Sequence, residues 1–217
     1  MAADRDQPLH AIEYLVVDVE TTGRAADESD RITEVAAVVV RGGAIVDRFS
    51  SLIRPGRAIP PFIVRLTGIT DAMVATAPPF SAVAPEVASR LVGRIFVAHN
   101  ASFDWAFISA ELARSSGVMP DNERLCTVRL ARRLLSHLPR RNLDAVTHHY
   151  GVQIAARHRA LGDAEATAQV LLRMIDDLGT AGIHTWGELQ CWLNRGTSRN
   201  KKKRSGLPTP VTDFRIA

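Results

Sequence analysis

Residues 32–41 form a β-prone apolar run that meets a second such run, residues 44–53, across Gly42 and Gly43. Two β-prone runs joined by a glycine pair read as a hairpin, because glycine reaches the positive φ that a tight turn demands. Any fold for this chain must therefore accommodate an antiparallel ribbon. Residues 14–19 form another compact run with β-branched side chains, followed by a Thr/Gly-containing segment, which predicts a buried central strand ending in a loop. Pro55, Pro60 and Pro61 then break the sheet pattern. Beyond them the period changes. Residues 80–91 are apolar at helical spacing, residues 94–98 read as a strand, and Phe103, Ala106, Phe107 and Ala110 mark a helix. Leu130, Leu134 and Leu135 suggest another helix, and residues 143–150 a shorter one capped by Gly151. Ala164, Ala168, Leu171, Leu172, Ile175 and Leu178 recur at spacings of three and four, as in an amphipathic helix. The expectation is an α/β domain, a mixed β-sheet flanked by helices, over residues 12–178. A short N-terminal segment (residues 1–11) precedes it, and a small helical extension (residues 179–195) and a basic flexible tail (residues 196–217) follow.

Composition excludes several classes. With 46% hydrophobic and 23% charged residues, the 217-residue chain can bury a substantial core. Its beginning lacks the apolar run of a secretory signal, and the longest strongly apolar stretch, residues 35–40, is too short to span a bilayer. Cys126 and Cys191 have no CxxC spacing, which argues against a disulfide framework or a thiolate zinc site. These features lead us to expect a cytoplasmic protein with no membrane partner. The formal charge of +4 is unevenly spread: from Arg195 onward seven basic residues face one acid, Asp213, leaving twenty basic and twenty-two acidic residues before it. Such a tail reads either as a contact for nucleic acid or an acidic partner, or as a solvated end.

Asp18 and Glu20 interrupt an apolar run. At positions i and i+2 of a strand they project from one face, roughly 7 Å apart. Burying two like charges is costly unless something compensates them, and a divalent cation would; an exposed strand end or a facing arginine is the alternative. Asp104 lies beside Phe103 and Phe107, just after His99 and Asn100 at a strand-to-helix junction, where Asn100 could equally cap the helix. Asp163 directly precedes the amphipathic helix, where a carboxylate is ordinarily an N-cap, and His158 stands five residues before it. All these groups fall at the ends of elements, where a sheet scaffold presents functional side chains.

The stretches Asp18-Val19-Glu20-Thr21-Thr22-Gly23, His99-Asn100-Ala101-Ser102-Phe103-Asp104 and His158-Arg159-Ala160-Leu161-Gly162-Asp163, in this order and spacing, resemble the three motifs of the DEDDh (DnaQ-like) 3′-5′ exonucleases, the family that includes the epsilon proofreading subunit of bacterial DNA polymerase III. Leu66-Thr67-Gly68-Ile69-Thr70 is similar to a family segment near the substrate 3′ end. The resemblance covers about residues 12–178 and implies a ribonuclease H-like fold and hydrolysis of phosphodiester bonds at DNA 3′ ends, releasing 5′-mononucleotides in proofreading or repair.

It implies two divalent ions, Mg²⁺ or Mn²⁺, because hard cations suit all-oxygen ligands. Asp18, Glu20 and Asp163 would hold one, with Asp18 bridging to the second and Asp104 supporting that second site. His158 would be the general base, since an imidazole ordinarily titrates near pH 6.5. Thr21, Leu66, Thr67, Gly68 and Ile69 would contact the terminal nucleotide, with Phe103 either lining that pocket or packing its own helix. The expected partners are single-stranded or frayed DNA 3′ ends, with a polymerase subunit as a further candidate. Two alternatives stay open: an RNA-directed exonuclease with the same catalytic arrangement, and a non-catalytic module binding nucleic acid or a polymerase.

Overall fold

The structure, a computed structural model, describes residues 4–26, 29–117 and 119–195. After a 3-10 turn at Leu9–Ala11 come β1 (Tyr14–Thr21), β2 (Ile32–Arg41) and β3 (Ala44–Leu52). Helices α1 (Pro61–Thr67), α2 (Asp71–Val74) and α3 (Phe80–Leu91) follow, then β4 (Ile95–Ala98), α4 (Ala101–Ser116), β5 (Arg124–Cys126) and α5 (Thr127–Leu134). The described chain closes with α6 (Leu143–Tyr150), α7 (Ala160–Thr180) and α8 (Trp186–Asn194). One sheet runs in the order β3-β2-β1-β4-β5. β1 pairs antiparallel with β2 and parallel with β4, and β4 pairs parallel with β5. The β2–β3 hairpin turns on Gly42 and Gly43, both at positive φ (56° and 77°), as expected.

Alternation along the strands divides the core into two layers. Tyr14 and Val16 of β1 join Ala36 and Val38 of β2 beneath α7, where Ala160, Ala164, Ala168 and Leu171 are buried. Leu15, Val17 and Val19 face the opposite way, onto α3 and α4 through Val87, Phe107 and Ile108. With helices on both faces, β2 is buried along nearly its whole length, which is why its sequence reads as a continuous apolar run rather than an alternating one. The small alanines of α7 let that helix approach the sheet closely.

Both flanks are tied into this body. Trp186, Leu189 and Leu193 of α8 are buried in the α7-side core with Leu9, and Leu9 N–H donates to His184 O at 2.8 Å. Thr185 and Glu188 form a capping box that fixes the start of α8. The basic run at residues 199–204 lies outside the described residues. Among the described residues no helix is long and apolar enough to cross a membrane.

Candidate active site

The parallel strands β1 and β4 bring their C-terminal ends to one edge of the sheet, where open α/β sheets present ligand sites. Period two along β1 puts Asp18 and Glu20 on the face of Tyr14 and Val16, toward α7. Asp163 stands in the first turn of α7, buried to 3% exposure. It is not the N-cap expected from sequence: Arg159 holds that position, and the helix start is satisfied from outside by Glu34 of β2. Glu34 Oε2 accepts from Ala160 N–H at 2.9 Å, and the Arg159 guanidinium donates to the same carboxylate at 2.7 Å. Asp163 is thereby freed for other work.

Asp104 approaches from the opposite layer. It lies in the first turn of α4, also 3% exposed, and its Oδ1 accepts from Val19 N–H at 3.2 Å, the peptide between Asp18 and Glu20. Asn100 occupies the N-cap position of α4 but makes no side-chain capping bond; it adopts φ 83° instead, so the capping role suggested by its sequence position is not realised.

His158 also has a positive φ, 59°, and its N–H donates to Asp163 Oδ2 at 3.1 Å. This loop can fold back on α7 because Gly162 has no side chain: a Cβ there would stand 2.5 Å from Ala156 O. The glycine one residue before Asp163 is therefore a packing requirement of the motif. Each of Glu20, His158 and Asp163 offers a ligand atom, all within 4.8 Å of one another.

The electrostatics follow from burial and crowding. Burial, and then the neighbouring carboxylates of Asp104, Glu20 and Asp163, hold the Asp18 carboxyl well above its usual range. Glu20 is raised to about 7 by burial, with Asp163 and Glu34 adding to the effect. Asp104 is raised to about 8, chiefly by burial, against the opposing bond from Val19 N–H. Burial raises Asp163 as well, opposed mainly by Arg157, whose Nη1 lies 2.7 Å from Asp163 Oδ2. Asp163 Oδ1 is buried and has no protein hydrogen-bond partner. An orphaned buried carboxylate oxygen among mutually repelling carboxylates, with one imidazole nearby, fits a divalent cation.

The other sequence candidates separate into surface and interior groups. Leu66 is 52% exposed and Gly68 is exposed, whereas Ile69 is fully buried with Ile59, Ile63 and Val74. Thr67 is also buried, its hydroxyl donating to Ile63 O and accepting from Ile69 N–H. The side chains of Thr67 and Ile69 thus build the helix terminus that displays Leu66 and Gly68. Among the described residues no hydrogen bond or ion pair joins this segment to the carboxylates. Thr21 is buried and its hydroxyl donates to Gly23 O at 2.6 Å. Phe103 packs on Phe107 with ring centroids 5.0 Å apart. Glu34, Arg157 and Arg159 were not singled out from sequence. Glu34 carried a usable signal, a lone acid in an apolar strand like Asp18; the two arginines carried none.

Residues 15–171 match the RNase T exonuclease family, and the chain belongs to it. It is 41% identical over 165 residues to the 3′-5′ exonuclease DinG of Bacillus subtilis (strain 168), covering 76% of this chain and 18% of that protein. It is 37% identical over 181 residues to a PolC-type DNA polymerase III of Caldanaerobacter subterraneus subsp. tengcongensis, covering 83% of this chain and 13% of that protein. Among solved structures, exonuclease X in complex with 5′ overhanging duplex DNA matches with a TM-score of 0.61 and 34% identity, over 78% of this chain and 93% of that one. The chain spans about a third or less of the length of the curated relatives it matches. The fold is ribonuclease H-like, as expected, and the chain is an exonuclease-family domain of the DnaQ-like type.

Proposed function

We propose that this chain hydrolyses phosphodiester bonds at the 3′ ends of single-stranded or frayed DNA and releases 5′-mononucleotides, using two Mg²⁺ or Mn²⁺ ions. The observation that carries this reading is the meeting of four carboxylates from three elements at one sheet edge, with Asp163 Oδ1 buried and unpartnered. Bound ions would supply a nucleophile at neutral pH and offset the charge that develops at phosphorus.

Asp18, Glu20, Asp104 and Asp163 would hold those ions. The two strand acids are fixed by sheet pairing, and the two helix acids by the first turns of α4 and α7, so their spacing does not depend on substrate. His158 takes the proton from the attacking water; its own N–H, bonded to Asp163 Oδ2, orients the loop that carries the ring. Leu66 and Gly68, exposed at the end of α1, pack against the terminal nucleotide, while Thr67 and Ile69 support them from within. Thr21 buttresses the turn after β1 through its bond to Gly23 O.

The DinG name supports 3′-to-5′ polarity, and the DNA in the exonuclease X structure supports DNA over RNA as substrate. The PolC-type relative supports proofreading beside a polymerase, with repair as the alternative setting. The test is digestion of 3′-labelled and 5′-labelled oligonucleotides, as DNA and as RNA, with Mg²⁺, Mn²⁺ or EDTA. The reading expects immediate release of 3′ label from DNA, a descending ladder from 5′ label and no reaction in EDTA. Turnover in EDTA, or release beginning at the 5′ end, overturns it.

A further inference from the structure

Residues 124–141 contain six arginines and no Asp or Glu. Elsewhere, among the described residues, nine arginines, Arg31 and Arg159 among them, are ion-paired with carboxylates. Within the same described residues, none of the six is. Arg133 lies 4.2 Å over the Trp192 ring and donates to Trp192 O, and Arg141 donates to Ser136 O at 2.6 Å. Arg124 lies 5.2 Å over the Trp105 ring, while Arg129, Arg132 and Arg140 are exposed. The segment is therefore a concentrated positive surface that the fold itself does not neutralise.

Its position gives it a purpose. β5 pairs parallel with β4, so the start of α5 stands at the same edge as the start of α4, which carries Asp104. Arg129 and Arg132, three residues apart on α5, share a face, and with Arg124 they line a groove of about 720 Å³. Asn100 and Ser102 line the same groove, Ser102 lying two residues before Asp104. Asp121 and Glu123, just before β5, are also in the lining, which leaves the excess positive charge on α5, at Arg129 and Arg132.

We propose that this groove carries the phosphodiester backbone of the DNA strand being digested, on the 5′ side of its terminal nucleotide. The inference rests on the nuclease reading, because the groove is lined by Asn100 and Ser102 at the start of α4, the helix that carries Asp104. A run of phosphates is the ligand whose charge spacing several arginines can match without base recognition, so the grip is sequence-independent. Substrates too short to reach α5 forgo it.

The test compares a DNA trinucleotide with a 12-mer of single-stranded DNA, for the wild type and for Arg129→Glu/Arg132→Glu. KM is measured in Mn²⁺, and 12-mer binding in EDTA is measured by fluorescence anisotropy across a salt series. Wild-type KM should be lower for the 12-mer than for the trinucleotide by about tenfold or more. The charge-reversed variant should lose that advantage and lower the slope of log affinity against log salt by about 1.4, the loss of roughly two single-strand phosphate contacts. Arg129→Lys/Arg132→Lys, with charge kept, should restore both. An unchanged length advantage and salt slope in a folded charge-reversed variant overturns the proposal. So does loss of binding to a polyglutamate probe with 12-mer binding intact, which would assign the groove to an acidic protein. If the wild type cleaves neither oligonucleotide, the nuclease reading fails, and the anisotropy series still decides the groove.

Discussion

Arg157 bridges two carboxylates, with Nη1 2.7 Å from Asp163 Oδ2 and Nε 2.7 Å from Asp144 Oδ1. Its guanidinium is the positive charge that offsets Asp163 in this structure, and a cation bound by the same carboxylate meets it as a competitor. Hydrogen bonds to charged groups contribute about 1.5–3 kcal/mol.

Removing this competitor should tighten ion binding. Arg157→Ala is expected to lower the Mn²⁺ dissociation constant by about tenfold or more in calorimetry at constant pH. Weaker binding would instead assign Arg157 to holding the His158 loop in its ion-binding shape.

The raised carboxyls make stability without metal depend on pH. In the unfolded chain these groups ionise near pH 4, whereas in the folded chain Glu20 holds its proton to about 7 and Asp104 to about 8. As pH rises through this window the unfolded state releases protons first, so the folded state in EDTA loses stability. Thermal unfolding in EDTA should show a falling Tm from pH 6.5 to 8, and the rise in Tm produced by Mn²⁺ should grow over the same range. A metal-induced shift independent of pH would contradict the coupling.

His99 acts in the opposite direction. Burial lowers its pKa to about 4; its Nδ1 lies 2.8 Å from Thr127 Oγ1 and its Nε2 3.0 Å from Arg141 O. Folded His99 stays neutral while its unfolded counterpart gains a proton below about pH 6.5, so stability falls as pH drops toward 4. The depression corresponds to at most about 3 kcal/mol. Denaturant unfolding of wild type and His99→Gln at pH 7 and pH 4.5 should show a smaller acid-induced loss in the variant. Equal losses would remove His99 as the source.

Gly162→Ala should damage loop and site together. The added Cβ would stand 2.5 Å from Ala156 O and 2.9 Å from Ala156 N, backbone atoms that must move. We expect about 1–3 kcal/mol of destabilisation and a fall in turnover of about tenfold or more, measured by unfolding and oligonucleotide digestion. Wild-type turnover would show that the His158 loop needs no close approach to α7.

His158→Ala separates proton transfer from binding. Turnover should fall by about 10²–10⁴-fold while 12-mer affinity stays within about threefold. Because His158 also lies within the ligand cluster of Glu20 and Asp163, Mn²⁺ affinity is measured in parallel. Loss of ion binding would assign the ring to the metal site instead of to the base.

The sequence made the hairpin and the long helix legible because each has one dominant period: the Gly42-Gly43 turn between β runs, and the apolar stripe from Ala164 to Leu178. β5 escaped notice because Arg124–Cys126 is only three residues long, and α1 and α2 because they sit among prolines that suggested a break. At the site, Asp18, Glu20, Asp104 and Asp163 stood out as acids at element ends. What supports them did not: Glu34 satisfies the start of α7 from residues 126 positions away, and Arg157 neutralises Asp163 from a loop that looked like ordinary surface. Such partners are set by tertiary approach, which no local period encodes.

The most direct test is calorimetric titration of the wild type and Asp18→Asn with Mn²⁺ near neutral pH. A pair of ions should bind per wild-type chain, and both should be lost in a folded Asp18→Asn variant, since Asp18 is assigned to both ions. Undiminished stoichiometry and affinity in that variant would contradict that assignment.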